Sequence, residues 1–357
     1  MIWILMFVGS IAASIFGIIY MTKSISRFSA IKNNIIAFIL IIAVFIFFAF
    51  KLTWMNALLI TIYTTLFFLL FGLIGFIIGK LSKHSFRVYW QGWLALFSSI
   101  IFLGTGYYLC FSVVETDYQL TTNKDLGALK IALITDSHIG TTFDGEGFAA
   151  HIKTISLQNP DLLIISGDYV DDDTKRVDME KACEALGDTN FKYGVWFAYG
   201  NHDKGYFDSR DFSAADLENA LIQNGVHILE DEYELVDNLF YIVGRADKNT
   251  TPNRASIQEL LSDIDENKYI IVIDHEPADY AAEAASAADL VLCGHTHGGQ
   301  MIPITHFGVL SGIDDSTYGL ETHNDTNFIV SSGISDWALY FKTGTRSEYV
   351  IIDINGN

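Results

Sequence analysis

The first 114 residues of this 357-residue chain contain no aspartate and no glutamate. The remaining 243 residues hold all 42 acidic side chains and 15 of the 22 basic ones, which gives this second part a formal charge of −27. The whole-chain charge of −20 therefore averages two unlike parts, and each requires its own interpretation. The acidic second part argues against nucleic acid as a partner, because that binding depends on basic residues that neutralise phosphates.

Cysteine is scarce, with three in the whole chain. Cys110 lies in an apolar run, and Cys293 lies in a strand-like one. We expect Cys183 and Cys293 to be buried thiols rather than a disulfide, so a disulfide-stabilised scaffold is disfavoured.

Charge is also absent from four long apolar runs in the first part. A hydrocarbon core of ~30 Å requires about 20 helical residues. The runs therefore predict four transmembrane helices in residues 1–114, a linker or first edge strand in 115–128, and a soluble domain in 129–357. A buried helical bundle in a soluble protein is disfavoured because four such runs without an acid are too apolar for it. The runs are Met1–Tyr20, Ile35–Phe50, Ala57–Gly79 and Trp93–Val114.

Basic residues between the runs predict the orientation. Cytoplasmic loops collect Lys and Arg, and the loops after the first and third runs carry three each, whereas the second loop has only Lys51. This places the N-terminus and the acidic domain outside the cytoplasm; three or five spans would give conflicting signals. The six residues are Lys23, Arg27, Lys32, Lys80, Lys83 and Arg87.

In the second part, five strand-like runs each end just before a polar side chain. The runs are Leu129–Thr135, Asp161–Ser166, Gly194–Tyr199, Tyr269–Ile273 and Asp289–Cys293. Helical patterns alternate with them, which indicates an α/β domain. Such domains place their sites beyond the carboxyl ends of the strands.

The side chains at these ends have the chemistry of a two-metal hydrolase. Carboxylate, imidazole and amide ligands suit Mn, Fe, Zn or Co and disfavour Ca. Two such ions ~3.5–4 Å apart can activate a hydroxide and stabilise an in-line displacement at phosphorus. His202, in Gly-Asn-His-Asp, is able to move a proton. The seven candidate ligands are Asp136, His138, Asp168, Asn201, His275, His295 and His297.

These motifs resemble the calcineurin-like metallophosphoesterases. The pieces are Thr-Asp-Ser-His, Ser-Gly-Asp, Gly-Asn-His-Asp, Asp-His-Glu-Pro and Gly-His-Thr-His-Gly-Gly-Gln, in that order. The resemblance covers about Leu129–Ile354 and is closest to a bacterial membrane-attached branch that includes UDP-diacylglucosamine pyrophosphatases and cell-wall phosphoesterases. It implies a four-layer αββα sandwich, here preceded by four transmembrane helices.

The resemblance also implies a role for each motif residue. One metal ion would be held by Asp136, His138 and His297, with Asp168 bridging to the second. His202 would protonate the leaving group or donate to the phosphate. The second ion would be held by Asn201, His275 and His295.

Other residues near the motifs are weaker candidates. We consider four as substrate contacts, although surface or packing roles are as good an interpretation for several of them. The acidic run Asp171–Asp173 is interpreted as a solvated loop rather than as support for the ligands. Residues 336–341, Asp-Trp-Ala-Leu-Tyr-Phe, depart from the small turn of the relatives, and form either core packing or an apolar wall for a lipid chain. The four contacts are Lys204, Gln300, His306 and Trp337.

Together these observations predict a membrane-anchored, extracytoplasmic, metal-dependent phosphoric ester hydrolase. Its substrate would be a phosphorylated lipid or another cell-envelope component, with a phosphoester or pyrophosphate bond. A nucleotide or cyclic-nucleotide phosphodiesterase is the alternative enzyme, and a non-catalytic membrane sensor is the alternative of another class. The intact His202 disfavours the sensor.

Overall fold

The computed structural model describes residues 2–82, 88–207 and 209–356. Two compact units divide the chain: Met1–Tyr107 with Ala338–Tyr340, and Tyr108–Trp337 with Phe341–Asn357. Lys83 and Arg87, which contribute to the predicted orientation, lie outside the described residues.

The helical unit has a long apolar helix at each of the four predicted spans. Among the described residues, four helices are long and apolar enough to cross a membrane. Several hydroxyl side chains within them bond to their own helix, as Thr61 Oγ1 does to Ala57 O at 2.8 Å, which satisfies these polar groups without an outside partner. The helices are α1 (Ile2–Ile25), α2 (Asn34–Lys51), α3 (Trp54–Ser82) and α4 (Trp90–Phe111).

Asn56, at the start of α3, holds the short segment Ala338–Tyr340 in this unit. Its side chain is buried; Nδ2 donates to Ala338 O at 2.9 Å, and Oδ1 accepts from Tyr340 N at 2.8 Å. The amide is therefore satisfied by the backbone of residues that are distant in sequence.

The second unit contains two mixed six-stranded sheets. The first sheet has the order β1-β12-β2-β3-β4-β5, and the second has the order β10-β11-β9-β8-β7-β6. The strands are β1 (Val114–Thr121), β2 (Ala128–Ile134), β3 (Leu162–Ser166), β4 (Val195–Ala198), β5 (Val226–Ile228), β6 (Glu232–Val236), β7 (Phe240–Gly244), β8 (Tyr269–Ile273), β9 (Leu290–Cys293), β10 (Gly319–His323), β11 (Thr326–Val330) and β12 (Glu348–Asn355).

Residues 115–128, predicted as a linker or first edge, contain an edge strand. Strand β1 runs parallel to β12, with Val114 opposite Glu348 and Thr121 opposite Asn355. Its side chains alternate between half-buried and exposed, as expected where one face packs on the sheet core.

Three apolar cores separate the layers. Ile131, Leu133 and Ile271 belong to a core formed by residues of both sheets. Phe148 and Met179 pack on the other face of the first sheet, and Ile257 packs on the other face of the second. This arrangement is the predicted αββα sandwich. Its helices are α5 (Gly145–Ser156), α6 (Arg176–Gly187), α7 (Ala214–Gln223), α8 (Ile257–Leu260), α9 (Tyr280–Glu283) and α10 (Phe307–Ser311).

Parallel pairing brings the ends of the predicted strands together. Strands β2, β3 and β4 are adjacent and parallel in the first sheet, as β8 and β9 are in the second. All five β3 residues are buried, which explains its continuous apolar run. The loops after these strands therefore lie at the carboxyl ends of both sheets. The three cysteines are buried, and no disulfide joins them.

Candidate metal centre

The backbone is strained at the predicted ligands. Five of the seven, all non-glycine, have φ in the left-handed region, between 34° and 68°. Such conformations cost of order 1–3 kcal/mol each and cluster at functional sites. The five are Asp136, His138, Asp168, His295 and His297.

Asp136, His138 and His297 form one buried group of ligand atoms. Nε2 of His297 lies 3.5 Å from Asp136 Oδ1, and Nε2 of His138 lies 3.9 Å from the same oxygen. Asp136 also accepts from the backbone N–H of His295 at 3.1 Å, which fixes its carboxylate. One carboxylate and two imidazoles converge at this point, so the group is a candidate cation site.

Asp168, His275 and His295 form a second group. His275 Nε2 lies 3.1 Å from Asp168 Oδ2, while its Nδ1 donates to Ser166 O at 2.8 Å. His295 Nδ1 lies 2.9 Å from Asn201 Oδ1, so the predicted amide ligand is part of the same group.

Asp168 is shared by the two groups. Its Oδ2 lies 3.6 Å from His138 Nε2 in one group and 3.1 Å from His275 Nε2 in the other. Among the described residues, these two Nε2 atoms are buried without a hydrogen-bond partner. Unsatisfied imidazole nitrogens aimed at a common carboxylate fit a pair of divalent cations.

Two glycines of the motifs are required by close packing against these carboxylates. A Cβ at Gly200 would lie 2.3 Å from Asp168 Oδ1. A Cβ at Gly294 would lie 1.9 Å from Thr135 Oγ1 and 2.4 Å from Asp136 Oδ2. Any larger residue would displace a candidate ligand, which explains Gly-Asn-His and Gly-His-Thr-His.

The interpretation of Asp171 as part of a solvated loop is wrong. Its carboxylate is largely buried and lies between two imidazoles: Oδ2 is 3.4 Å from His138 Nδ1, and Oδ1 is 3.2 Å from His202 Nδ1. Burial alone would raise the pKa of Asp171, but the hydrogen bonds with both histidines outweigh it and hold the pKa well below its usual value. Asp171 therefore orients a predicted ligand and the predicted acid together.

Asp336 supports His297 in a similar way. It is fully buried, with Oδ1 at 3.3 Å from His297 Nδ1 and Oδ2 accepting from Gln300 Nε2 at 2.7 Å. The fully buried Lys342 lies 3.7 Å from Oδ2 and donates to Ser332 O at 2.6 Å. Asp336 begins the segment 336–341, which differs from the small turn of the relatives. Its side chain thus supports the site through polar contacts.

Asp203 is a functional residue that the sequence reasoning missed. Its buried carboxylate accepts from the backbone N–H groups of Asp168, at 2.9 Å, and Gly200, at 2.7 Å. It ties together the loops after β3 and β4. The signal was present, since Asp203 completes the Gly-Asn-His-Asp motif.

The four predicted substrate contacts occupy different positions. Lys204 pairs with Glu230 and lies over the Tyr199 ring. Gln300 donates to Asp336 and to Phe341 O, and His306 Nδ1 lies 3.3 Å from Thr317 Oγ1. Trp337 is the one placed against a catalytic candidate, with its ring 5.6 Å from the ring of His202.

The electrostatics favour a neutral imidazole at one ligand. Burial and the neighbouring His275 lower the pKa of His295 to about 3. His295 is therefore unprotonated at neutral pH, the state in which imidazole binds a metal ion.

A comparison of sequences shows which family this part of the chain resembles. Residues 129–299 match the model of the calcineurin-like phosphoesterases. This part of the chain is therefore similar to that family. All seven candidate ligands, from Asp136 to His297, lie within the matched residues.

Several curated relatives are similar to this chain over the same region. A metallophosphoesterase of Campylobacter jejuni is 30% identical over 64% of this chain and 59% of its own length. One from Aquifex aeolicus is 28% identical over 64% of this chain and 85% of its own length. A Danio rerio transmembrane protein with a metallophosphoesterase domain is 26% identical over 63% and 53%. The chain thus spans little more than half of two of these relatives.

Proposed function

We propose that this phosphoesterase is anchored in a membrane, uses two divalent ions, and hydrolyses a phosphoester or pyrophosphate of a lipid-linked or cell-envelope substrate. The observation that carries the proposal is Asp168, whose one carboxylate oxygen faces His138 on one side and His275 on the other. A shared carboxylate is what a dinuclear centre requires.

The proposed ligand sets follow from the two groups of side chains. Asp136, His138 and His297 would hold one ion. Asp168 would be shared by both. When bound, the ions would supply an activated hydroxide and neutralise charge on the phosphoryl oxygens. The other ion would be held by Asn201, His275 and His295.

His202 is the proposed general acid. Its backbone N–H donates to Asp168 Oδ1 at 2.8 Å, which fixes it beside the shared carboxylate. Its Nδ1 faces Asp171, so Nε2 is the nitrogen left to give a proton to the leaving-group oxygen. The side chain is 13% exposed, which is consistent with access from the substrate side.

The lipid or envelope substrate is supported by the anchor and by Trp337. Four membrane-spanning helices confine the enzyme to a bilayer surface, where lipid headgroups are abundant. Trp337 places an aromatic ring beside His202, where an acyl or prenyl chain would gain apolar contact. We therefore expect lipid-bearing phosphates to be preferred over water-soluble ones.

A substrate panel tests the function. The full chain in nanodiscs is assayed against phospholipid phosphates, lipid pyrophosphates, wall-polymer phosphates, nucleotides, cyclic nucleotides and an aryl phosphate, with His202→Ala as the inactive control. Trp337→Ala should slow turnover of the lipid substrate and spare the aryl phosphate. Equal losses on both substrates would remove the lipid role of Trp337, and preferential turnover of nucleotides would overturn the proposed substrate.

We also propose that the catalytic domain lies outside the cytoplasm. Lys23 lies in the last turn of α1 and Arg27 and Lys32 follow that helix, while Lys80 lies in the last turn of α3. Asp231→Cys, placed in the turn before β6, should react with a membrane-impermeant thiol reagent on intact cells. Reaction only after lysis would place the domain inside.

A further inference from the structure

Residues 301–313, which we call the apolar loop, form an exposed apolar surface directly after the metal-ligand motif. The loop starts four residues after His297 and contains no Asp, Glu, Lys or Arg. Leu310 is 85% exposed, and Ile302 and Ile304 are about half exposed. Phe307, Val309 and Ile313 are exposed as well. Six exposed large apolar side chains in thirteen residues are unusual on a water-facing surface.

The apolar loop is an ordered part of the fold. Ile302 N donates to Thr343 Oγ1 at 3.0 Å, and Thr343 N donates to Gln300 O at 2.8 Å. At the other end, Ile313 N donates to Gly308 O at 3.0 Å. These bonds fix the backbone while the apolar side chains point away from the core, so exposure is built into the loop.

The loop lies beside the candidate metal centre. Gln300, the residue before it, donates to Asp336, which in turn faces the ligand His297. A second exposed aromatic, Phe207, is 74% exposed and follows the catalytic candidate His202 by five residues. Exposed apolar side chains thus follow two of the site motifs.

We propose that the apolar loop contacts the acyl region of the bilayer that holds the chain's own helices. Only Ser112 and Val113 separate the fourth helix from strand β1, so this connection spans at most ~11 Å. The first strand of the domain therefore follows the last apolar helix within a few residues. A loop without charged side chains can enter lipid without the large cost of burying an ion.

Charge supports lipid as the occupant of this surface. Residues 115–357 carry a formal charge of −27, and none of these charged side chains lies in the apolar loop, so insertion of the loop would bury no ion. The contact would hold the metal centre near lipid phosphates. It does not depend on the proposed substrate, because insertion of the loop is a property of the surface alone.

Site-specific labelling tests the contact. The full chain carrying Leu310→Cys is labelled with an environment-sensitive fluorophore and placed in nanodiscs whose acyl chains carry a bromine quencher. Leu157→Cys and Ile222→Cys are matched controls, because these side chains are 72% and 56% exposed; Leu157 directly follows α5, and Ile222 lies on α7. The native cysteines are buried, and unsubstituted protein gives the labelling background.

The expected result is a blue-shifted emission at position 310 with quenching several-fold stronger than at positions 157 and 222. Quenching no stronger than at the controls would overturn the proposal. A second outcome would also overturn the proposal: the label is shielded from aqueous iodide but is not quenched by brominated lipid, and only when two copies share a nanodisc. That result would indicate a second copy as the occupant.

A functional arm separates this proposal from the proposed substrate. Leu310→Asp should weaken lipid quenching from a label at Ile304→Cys and slow turnover of a lipid phosphate several-fold, while an aryl phosphate is hydrolysed as before. Lost insertion with unchanged lipid turnover supports the membrane contact and shows that the contact does not contribute to turnover. Retained insertion with lost lipid turnover would count against the membrane contact as the cause.

Discussion

The two halves of the candidate metal centre support their imidazoles in different ways. In the carboxylate-backed half, formed by Asp136, His138 and His297, Asp171 lies behind His138 and Asp336 lies behind His297. In the amide-backed half, formed by Asn201, His275 and His295, the Ser166 carbonyl lies behind His275, and His295 contacts the amide oxygen of Asn201, which is itself a proposed ligand.

The difference has a consequence for metal binding. A carboxylate behind an imidazole makes the ring a stronger donor and fixes its tautomer. We therefore expect the carboxylate-backed half to hold its ion more tightly than the amide-backed half. Asp168 contacts both halves, and Asp171 contacts both His138 and His202. Substitutions can therefore test whether the two halves bind their ions independently.

The largest effect is expected at the shared carboxylate. Asp168→Asn should lose both ions together and reduce turnover roughly 10⁴-fold or more, the scale seen when a central catalytic group is removed. Metal content after dialysis, measured by plasma mass spectrometry, and turnover of an aryl phosphodiester check this. Retention of one ion at full occupancy would show that Asp168 serves a single half.

His202→Ala should reduce turnover by about 10²–10⁴-fold, the usual contribution of a general acid. Both ions should remain, because His202 belongs to neither proposed ligand set. Turnover at saturating substrate and metal content are measured on the same sample. Full activity in this variant would contradict the catalytic role, whereas loss of metal would indicate that it acts as a ligand.

Asp336→Asn should weaken the binding of one ion and leave the binding of the other unchanged. Removing an outer carboxylate typically costs 10–100-fold in metal affinity, so we expect that loss in the carboxylate-backed half alone. A Mn²⁺ titration followed by electron paramagnetic resonance distinguishes single ions from coupled pairs. Asp289→Asn, a carboxylate that pairs with Lys124 away from the site, is the matched control.

Stability must be separated from metal affinity in that experiment. Asp336→Asn leaves the fully buried Lys342 without its carboxylate, which costs about 3–5 kcal/mol in comparable buried pairs. The double variant Asp336→Asn with Lys342→Met removes both charges. It should recover much of the Tm, while the affinity for the ion in the carboxylate-backed half stays low. Recovery of affinity along with Tm would mean that Asp336 acts only through stability.

Gln300→Ala should have the smallest effect. Its amide donates to Asp336, and one such hydrogen bond is worth about 0.5–1.5 kcal/mol, so we expect a roughly 2–10-fold weaker ion in the carboxylate-backed half. A higher KM with unchanged metal affinity would instead indicate the substrate contact that the sequence suggested.

Local pattern was sufficient to predict much of this fold. The five predicted strands are present because continuous buried runs, such as Leu162–Ser166, have no other stable place than the interior of a parallel sheet. The four spans follow from length and apolarity. The polar residue after each strand follows from chain order, since strand and motif are neighbours in sequence.

The supporting carboxylates could not be predicted in the same way. Asp171 lies 31 positions before His202, and Asp336 lies 39 positions after His297. An Asp-rich stretch after a motif is usually solvated, so nothing local distinguished Asp171 from Asp172 and Asp173. Similarly, Asp336 is followed by apolar residues, and this local pattern gave no indication that its side chain faces a ligand.

The sequence by itself determined the two unlike halves of the chain, the spans, the strands and the types of side chain at the metal centre, because these depend on composition and on residues close together in the chain. Tertiary structure decided which carboxylate supports which imidazole, which predicted contacts are already bonded elsewhere, and which apolar loop stays exposed. Those outcomes depend on distances between loops that only sheet pairing and core packing bring together.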